Sequence, residues 1–506
     1  MTTAAEIIGQ RLYDAGCRHA FGIPGGEVLY LMDGLEKAGI QFHLVRHENP
    51  GGFMAEGTYH ADSAPGILVA TIGPGVVNAI NVVANAWQDQ VPMIFLTGCV
   101  DASEAEKYTH QVFDHTKVIE PISKASMVLA DGAVDVIIDK AVTIAMSDAP
   151  GPVHIDVPIG LAGAETKPTG FPRHNPPAKT APAPGPDLDA ARAAIVNAKR
   201  PLMIAGVDVL HHDAAAIVED AARRLSMPVI TTYKAKGIIP EDDPLALGGH
   251  GLSPKSYKTL KPMIDAADLI LLVGYDPIEM RIDWRNAWGT GVDGKMVIEV
   301  TGHANRHFVH QSDISFICDV GAGMVALTDG IAADATWPDG DVSTMKDALR
   351  ANFPRDEEWG PAAVIDAARN VFPRDGFAAV DTGAHRILLS QQWECYAPRT
   401  LTQSTGLCTM GCAMPMALGH KIVNPDQPVI AFTGDGGLEM IMGELATLRD
   451  HQLPVIVIVF VDQSLSLIEL KQRANAQENL GVDFGGTDFA AVANVMGGVG
   501  VTATNR

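Results

Sequence analysis

Between residue 3 and about 165, short apolar runs such as "FHLVRH", "GILVATIG" and "VPMIFLTG" alternate with helix-like stretches such as "VVNAINVVANAWQD". This alternation constrains the fold more than any other feature. Strands that read as near-continuous apolar runs must be covered on both faces, and parallel neighbours need a crossover, so the pattern predicts a doubly wound parallel α/β sheet. The same rhythm returns over 187–335, with strands expected at "RPLMIAG", "MPVITT", "LILLVG" and "KMVIEV". It returns again over 360–506, in "GFAAVDTGAH", "QPVIAFTGDGG" and "LPVIVIVFVDQS". Between the first two regions lies "GAETKPTGFPRHNPPAKTAPAPGPD", whose seven prolines predict an extended interdomain linker. Three α/β domains, each a doubly wound parallel sheet, are therefore expected.

At 506 residues and 47% apolar, the chain can bury several substantial cores. A net charge of −23 without a Lys/Arg cluster argues against nucleic acid or an anionic membrane as partner. An anionic ligand would have to be held by helix termini or a cation. The six cysteines, at 17, 99, 318, 395, 408 and 412, form no CxxC pair, and the polar start "MTTAAEIIGQRLYDAG" is unlike a signal peptide. A reduced, cytoplasmic protein is the expectation.

The stretch "FTGDGGLEMIMGEL" places Asp435 among glycines directly after an apolar run. In open parallel sheets, ligands bind beyond the carboxyl ends of strands, where glycines let backbone N–H groups approach a phosphate. A carboxylate there makes sense if it holds a hard cation that the phosphate also binds. After a helix expected from about 439 to 451, "PVIVIVF" ends beside Val461 and Asp462, a second acid at the same sheet edge. Asp435, Asp462, a carbonyl near Ser464, two phosphate oxygens and a water would complete an octahedron around Mg2+.

These residues resemble the thiamine diphosphate-dependent family that includes acetolactate synthase, benzaldehyde lyase, oxalyl-CoA decarboxylase and pyruvate decarboxylase. The family motif is GDG followed about two dozen residues later by Asn-Asn; here Gly434-Asp435-Gly436 is followed by 24 residues and then Val461-Asp462. Both asparagines are replaced, and the metal site gains a negative charge. "RHENPGGFMAEGTYHAD" and "ATIGPGVVNAI" resemble the family's strand-end glutamate and Gly-Pro-Gly turn, which matches Glu48 to the glutamate. "THQVFDHTKVIEPISKAS" aligns Gln111 with an active-site glutamine, and "GLCTMGCAMPMALGH" aligns Met410 with the bulky residue beneath the cofactor.

The resemblance implies a pyrimidine-binding domain at 1–165, a central domain at 187–335 and a diphosphate-binding domain at 360–506, without the last segment relatives usually carry. Glu48 would share a proton with the pyrimidine N1′. Met410 would wedge the cofactor into its bent shape, and the Cys408 carbonyl would accept from the 4′-amino group. Gly383, His385, Gly436 and Gly437 would assist the diphosphate. The active unit would be a homodimer at minimum, by analogy a homotetramer, with Glu48 of one subunit facing the diphosphate-binding domain of its neighbour.

Glu27 in "PGGEVLY" and His110 before Gln111 stand where acetolactate synthases carry alanine and phenylalanine. Both are candidates for handling protons near the reacting carbon. A flavin-contacting pattern is not clearly present in the middle region, which leaves FAD open. Three readings follow: an acetolactate synthase-like carboligase acting on a 2-oxo acid, a nonoxidative decarboxylase or C–C lyase, and a non-catalytic regulatory homologue.

Overall fold

The computed structural model describes residues 2–173, 176–285, 287–289, 295–305, 307–332, 337–338 and 340–506. The chain packs into two compact units, one of Met1–Pro176, Ala378–Gly383 and Thr402–Thr502, the other of Pro177–Phe377, Ala384–Leu401 and Ala503–Arg506.

In the first unit, six strands form a parallel sheet in the order Gln41–Leu44, His19–Ile23, Gly66–Ala70, Met93–Cys99, Pro152–Pro158 and Ala125–Val128. Every residue of Gly66–Ala70 is buried, as expected for a central strand covered on both faces. The chain runs outward from His19–Ile23 to Gln41–Leu44, then returns to pair Gly66–Ala70 on the other side. That reversal opens a crevice at the carboxyl ends of the two central strands. The covering helices start where the sequence permits. Thr3 and Glu6 form a capping box before Ala4–Asp14, and Pro74, which has no N–H to lose, opens Pro74–Asp89.

A second parallel sheet in this unit runs Leu401–Gln403, Phe377–Val380, Val429–Gly434, Ile456–Phe460, with only Phe377 and Leu401 assigned to the other unit. Its order also reverses, between Phe377–Val380 and Val429–Gly434. Helix Glu48–Asp62 of the first region packs against helix Ala413–Val423 of the third. The approach is so close that a β-carbon on Gly419 would stand 1.9 Å from the Met54 carbonyl oxygen, and one on Gly57 2.2 Å from that of Met416. Only glycine fits at either crossing point.

The second unit is built on a six-stranded parallel sheet, Ala246–His250, Val229–Thr232, Pro201–Ala205, Leu269–Val273, Met296–Thr301, Ile314–Ile317. Its strands Pro201–Ala205 and Leu269–Val273 are wholly buried. Three parallel-sheet α/β regions are thus present, as the apolar rhythm predicts. Among the described residues, no helix is long and apolar enough to cross a membrane.

One expected element differs. The single helix anticipated from about 439 to 451 is instead Asp435–Ile441, a 3-10 turn at Met442–Glu444, and Leu445–Asp450. The first begins four residues early because extended Gly434 serves as its N-cap and glycines occupy its second and third positions, leaving the backbone unencumbered there.

Candidate active site

Each sheet of the first unit carries acids at its point of reversal. In the third region, Phe377–Val380 is followed by Asp381 and Val429–Gly434 by Asp435. Asp435 is the first residue of its helix and is buried. Its Oδ1 accepts the Gly436 N–H at 2.8 Å, and its Oδ2 accepts the N–H groups of Asp462 at 3.0 Å and Gln463 at 2.7 Å. The loop after Ile456–Phe460 is thereby drawn onto Asp435. The Asp462 side chain caps its own turn, accepting from Ser464 N at 3.3 Å and from the Ser466 hydroxyl. Ser464 is buried and donates its hydroxyl to Glu469 at 2.8 Å. Among the described residues no group of three or more His, Cys, Asp or Glu side chains could hold a metal. A cation here would rest on the two aspartates plus carbonyl, ligand and water oxygens, a donor set suited to Mg2+.

Asp381 was missed in the sequence. Fully buried, it accepts from Gly411 N at 2.8 Å, Cys412 N at 3.3 Å, Thr382 N at 2.8 Å and the Thr433 hydroxyl at 2.8 Å. Burial pushes its carboxyl above the ordinary aspartate range. A β-carbon on Gly437 would stand 2.3 Å from Asp381 Oδ2, so Gly437 is what lets this acid reach the segment carrying Met410. Met410 in turn lies 3.6 Å from where a β-carbon on Gly436 would be. Cys408 adopts φ +55°, a left-handed conformation that glycine adopts more readily than other residues. Gly383 closes the Asp381 loop in this unit, whereas His385 belongs to the other, as the second residue of helix Ala384–Gln392.

In the first region, Glu48 lies four residues beyond strand Gln41–Leu44, as the first residue of helix Glu48–Asp62 rather than as a strand end. It is only 4% exposed. Its Oε2 accepts from Asn78 Nδ2 at 3.0 Å, and Oε1 lies 3.3 Å from where a β-carbon on Gly75 would stand. Among the described residues no side chain or N–H donates to Oε1. A buried carboxylate with one oxygen left over suits a donor from outside the chain, such as a heterocyclic nitrogen.

Glu27 and Thr71 occupy the reversal itself. Glu27 follows His19–Ile23, lies over Gly98 with its Cβ 2.8 Å from that glycine's missing β-carbon, and accepts the Thr71 hydroxyl at 2.8 Å. Gln111, at φ +62°, packs its backbone against Gly73. His110 and Gln111 are both exposed, and His110 stands edge-on to Tyr108.

The two regions meet in a cleft of about 420 Å³, where His47, Asn49 and Asn81 face Cys408, Thr409 and Met410. The neighbours of Glu48 line it, but Glu48 does not. A second acid missed in the sequence braces this junction. Glu444, 1% exposed, accepts the Arg46 and His47 N–H groups at 2.9 and 3.1 Å and the Thr447 hydroxyl at 2.6 Å. Its carboxyl is pushed up by burial. For both missed acids the sequence signal was faint: an acid directly after an apolar run for Asp381, an acid after "MIMG" in a 3-10 turn for Glu444.

A glycine-opened helix carrying an acid on one sheet and a buried, half-satisfied glutamate beside a Gly-Pro-Gly turn on another define a site for a diphosphate-bearing heterocyclic cofactor. Comparison with known proteins agrees. Residues 2–118 match the thiamine pyrophosphate enzyme N-terminal TPP binding domain, 188–327 its central domain and 381–506 its C-terminal TPP binding domain. The chain is 31% identical over 536 residues to the acetolactate synthase large subunit of Parasynechococcus marenigrum, covering 98% of this chain and 83% of that protein. It is 30% identical over 490 residues to the acetolactate synthase isozyme 1 large subunit of Escherichia coli, covering 93% and 83%. It is also 27% identical over 510 residues to a probable 2-ketoarginine decarboxylase of Pseudomonas aeruginosa, covering 98% and 88%. The chain belongs to the thiamine pyrophosphate-dependent enzymes of the acetolactate synthase type.

Proposed function

We propose that this chain is a thiamine diphosphate- and Mg2+-dependent enzyme that decarboxylates a 2-oxo acid and joins the retained fragment to a second carbonyl compound. The observation that carries this reading is the pairing of Asp435 with the Asp462 loop at one sheet reversal and of Glu48 with the Gly-Pro-Gly turn at the other. When bound, the cofactor supplies a nucleophilic carbon and an electron sink for the pair left behind by carbon dioxide. The protein's own part is positional and protonic. Asp435, Asp462 and a carbonyl near Ser464 would hold Mg2+ against the diphosphate, with the Gly436 and Gly437 amides, Gly383 and His385 as the groups to assist it. Glu48 would hold a proton at the pyrimidine nitrogen of the cofactor, Met410 would pack against its rings, and the Cys408 carbonyl would accept from its amino group.

The Asp435 of one subunit and the Glu48 of another serve one site, which makes a homodimer the smallest active form and a homotetramer the expected assembly in the cytoplasm. The domains run 1–165, 187–335 and 360–506. Gln111 and His110 border the reacting carbon, as does Glu27.

A second reading, a nonoxidative decarboxylase or C–C lyase, is favoured by Glu27, an ionisable acid that Thr71 holds at the crevice. Proton delivery there would release an aldehyde instead of a ligated product. Incubation of the enzyme with Mg2+, thiamine diphosphate and a panel of 2-oxo acids separates the two: acetolactate from pyruvate supports the first, an aldehyde the second. Failure to bind the cofactor at all would overturn both.

A further inference from the structure

A chain of buried polar groups runs beneath the crevice without entering any role assigned above. Ser126 Oγ lies 2.7 Å from His154 Nδ1, and His154 Nε2 lies 2.7 Å from Thr97 Oγ1. Thr97 Oγ1 lies 2.5 Å, and His115 Nδ1 2.8 Å, from the same Asp156 oxygen. His115 Nε2 faces the Gly73 N–H at 3.3 Å. Thr97, His115 and His154 are each no more than 2% exposed.

The protons in this chain can be placed. Burial pushes the Asp156 carboxyl up, but the hydrogen bond from His115 and the neighbouring His154 ring outweigh that and bring it down to about 2, so it is ionised and can only accept. Thr97 spends its single hydrogen on Asp156; His154 Nε2–H must then donate to Thr97, which leaves His154 Nδ1 to accept from Ser126. His115 gives Nδ1–H to Asp156 and keeps a bare lone pair on Nε2. That lone pair points at Gly73, which donates its N–H.

Gly73 governs more than itself. At φ +70°, ψ −105° it is the N-cap of Pro74–Asp89, in a conformation foreign to other residues, and a β-carbon there would stand 2.7 Å from the Gln111 carbonyl oxygen. Two positions on, Gly75 borders Glu48, and five on, Asn78 holds the Glu48 carboxylate. We infer that the Asp156–His115 pair is a positioning device, in which a histidine locked as its Nδ1–H tautomer anchors the Gly73 amide and thereby sets Glu48 and Gln111. The inference rests on the functional reading above only in what Glu48 and Gln111 are positioned for.

Variants can separate the two ends of the imidazole. His115→Gln can keep an acceptor near the Nε2 position while losing the link to Asp156, and His115→Asn can keep that link while losing the acceptor. Hydrogen–deuterium exchange of the peptide containing Gly73, followed on cofactor-free protein, should speed up at least about tenfold in His115→Asn and His115→Ala and less in His115→Gln. In the loaded enzyme His115→Asn should lower kcat about tenfold or more while KM and the cofactor dissociation constant stay within about threefold, because the diphosphate is held elsewhere. Unchanged Gly73 exchange in His115→Asn would overturn the inference, as would a lowered melting temperature with kcat intact. The exchange measurement needs no cofactor, so it stands even if the proposed reaction is not the right one.

Discussion

Asp435 accepts the backbone N–H of Asp462 at 3.0 Å, so the two acids at the edge of the third-region sheet are joined through main chain and not only through any ion they share. Asp435 therefore has a structural duty beside its proposed ligand duty, whereas the Asp462 side chain is occupied by its own turn. Asp435→Ala should abolish Mg2+-dependent binding of thiamine diphosphate in calorimetric titration and lower the melting temperature as well. Asp462→Asn should retain binding within about tenfold, since an amide oxygen can ligate in place of the carboxylate. Complete loss in Asp462→Asn would contradict the assigned site.

Glu48→Gln preserves the shape of the side chain and its contact with Asn78 but removes the ability to hold a proton at a ring nitrogen. Exchange of the cofactor C2 hydrogen, followed by quenched-flow NMR, should slow by a factor on the order of a hundred or more. Far-UV circular dichroism should not change. Normal exchange would remove Glu48 from its role.

Asp381→Ala strands the buried Gly411 and Cys412 amides and takes an acceptor from Thr382 and Thr433. We expect a loss of about 3 kcal/mol or more in urea unfolding. Cofactor affinity should weaken in parallel, because the Gly411 amide that Asp381 holds adjoins Met410.

Gly419→Ala tests the helix crossing. A methyl group placed 1.9 Å from a backbone oxygen cannot be relieved by rotating a side chain, so the helices must separate, at a cost of about 2 kcal/mol or more. Alanine at Gly185, where nothing lies within 4 Å, should cost far less.

Asp156 predicts a pH dependence. Its folded pKa, about 2, lies below the ordinary 3.8, so its contribution is complete above about 4 and is lost as pH falls toward 2. That depression corresponds to about 2 kcal/mol. In urea titrations, the stability gap between wild type and Asp156→Asn should be constant above about pH 5 and narrow below about pH 4.

The strands were readable because each is a compact apolar run, and the place of Asp435 at a sheet edge because it follows such a run directly. Asp381 follows its strand just as directly, yet with one glycine two residues on the signal looked ordinary; three of its four donors come from segments distant in sequence. Glu48 was found through its motif, but its place at a helix start was not, since "RHEN" carries no strong helix-initiation signal beyond His47. The packing of the first and third regions into one compact unit was also hidden. It turns on Gly57 and Gly419, single glycines inside helical stretches whose reason is the other's backbone. Within the active site, the left-handed backbone at Cys408 and Gln111 was invisible, because neither residue type advertises it.

Glu444 has a consequence for how such a chain can be re-engineered. Its carboxylate is given over to the amides just before Glu48, so the amino-terminal and carboxy-terminal thirds share a joint that neither can form alone. A chimera that grafts one third from a relative inherits only half of that joint, and the graft will work only where donor and recipient present the same acid to the same pair of amides.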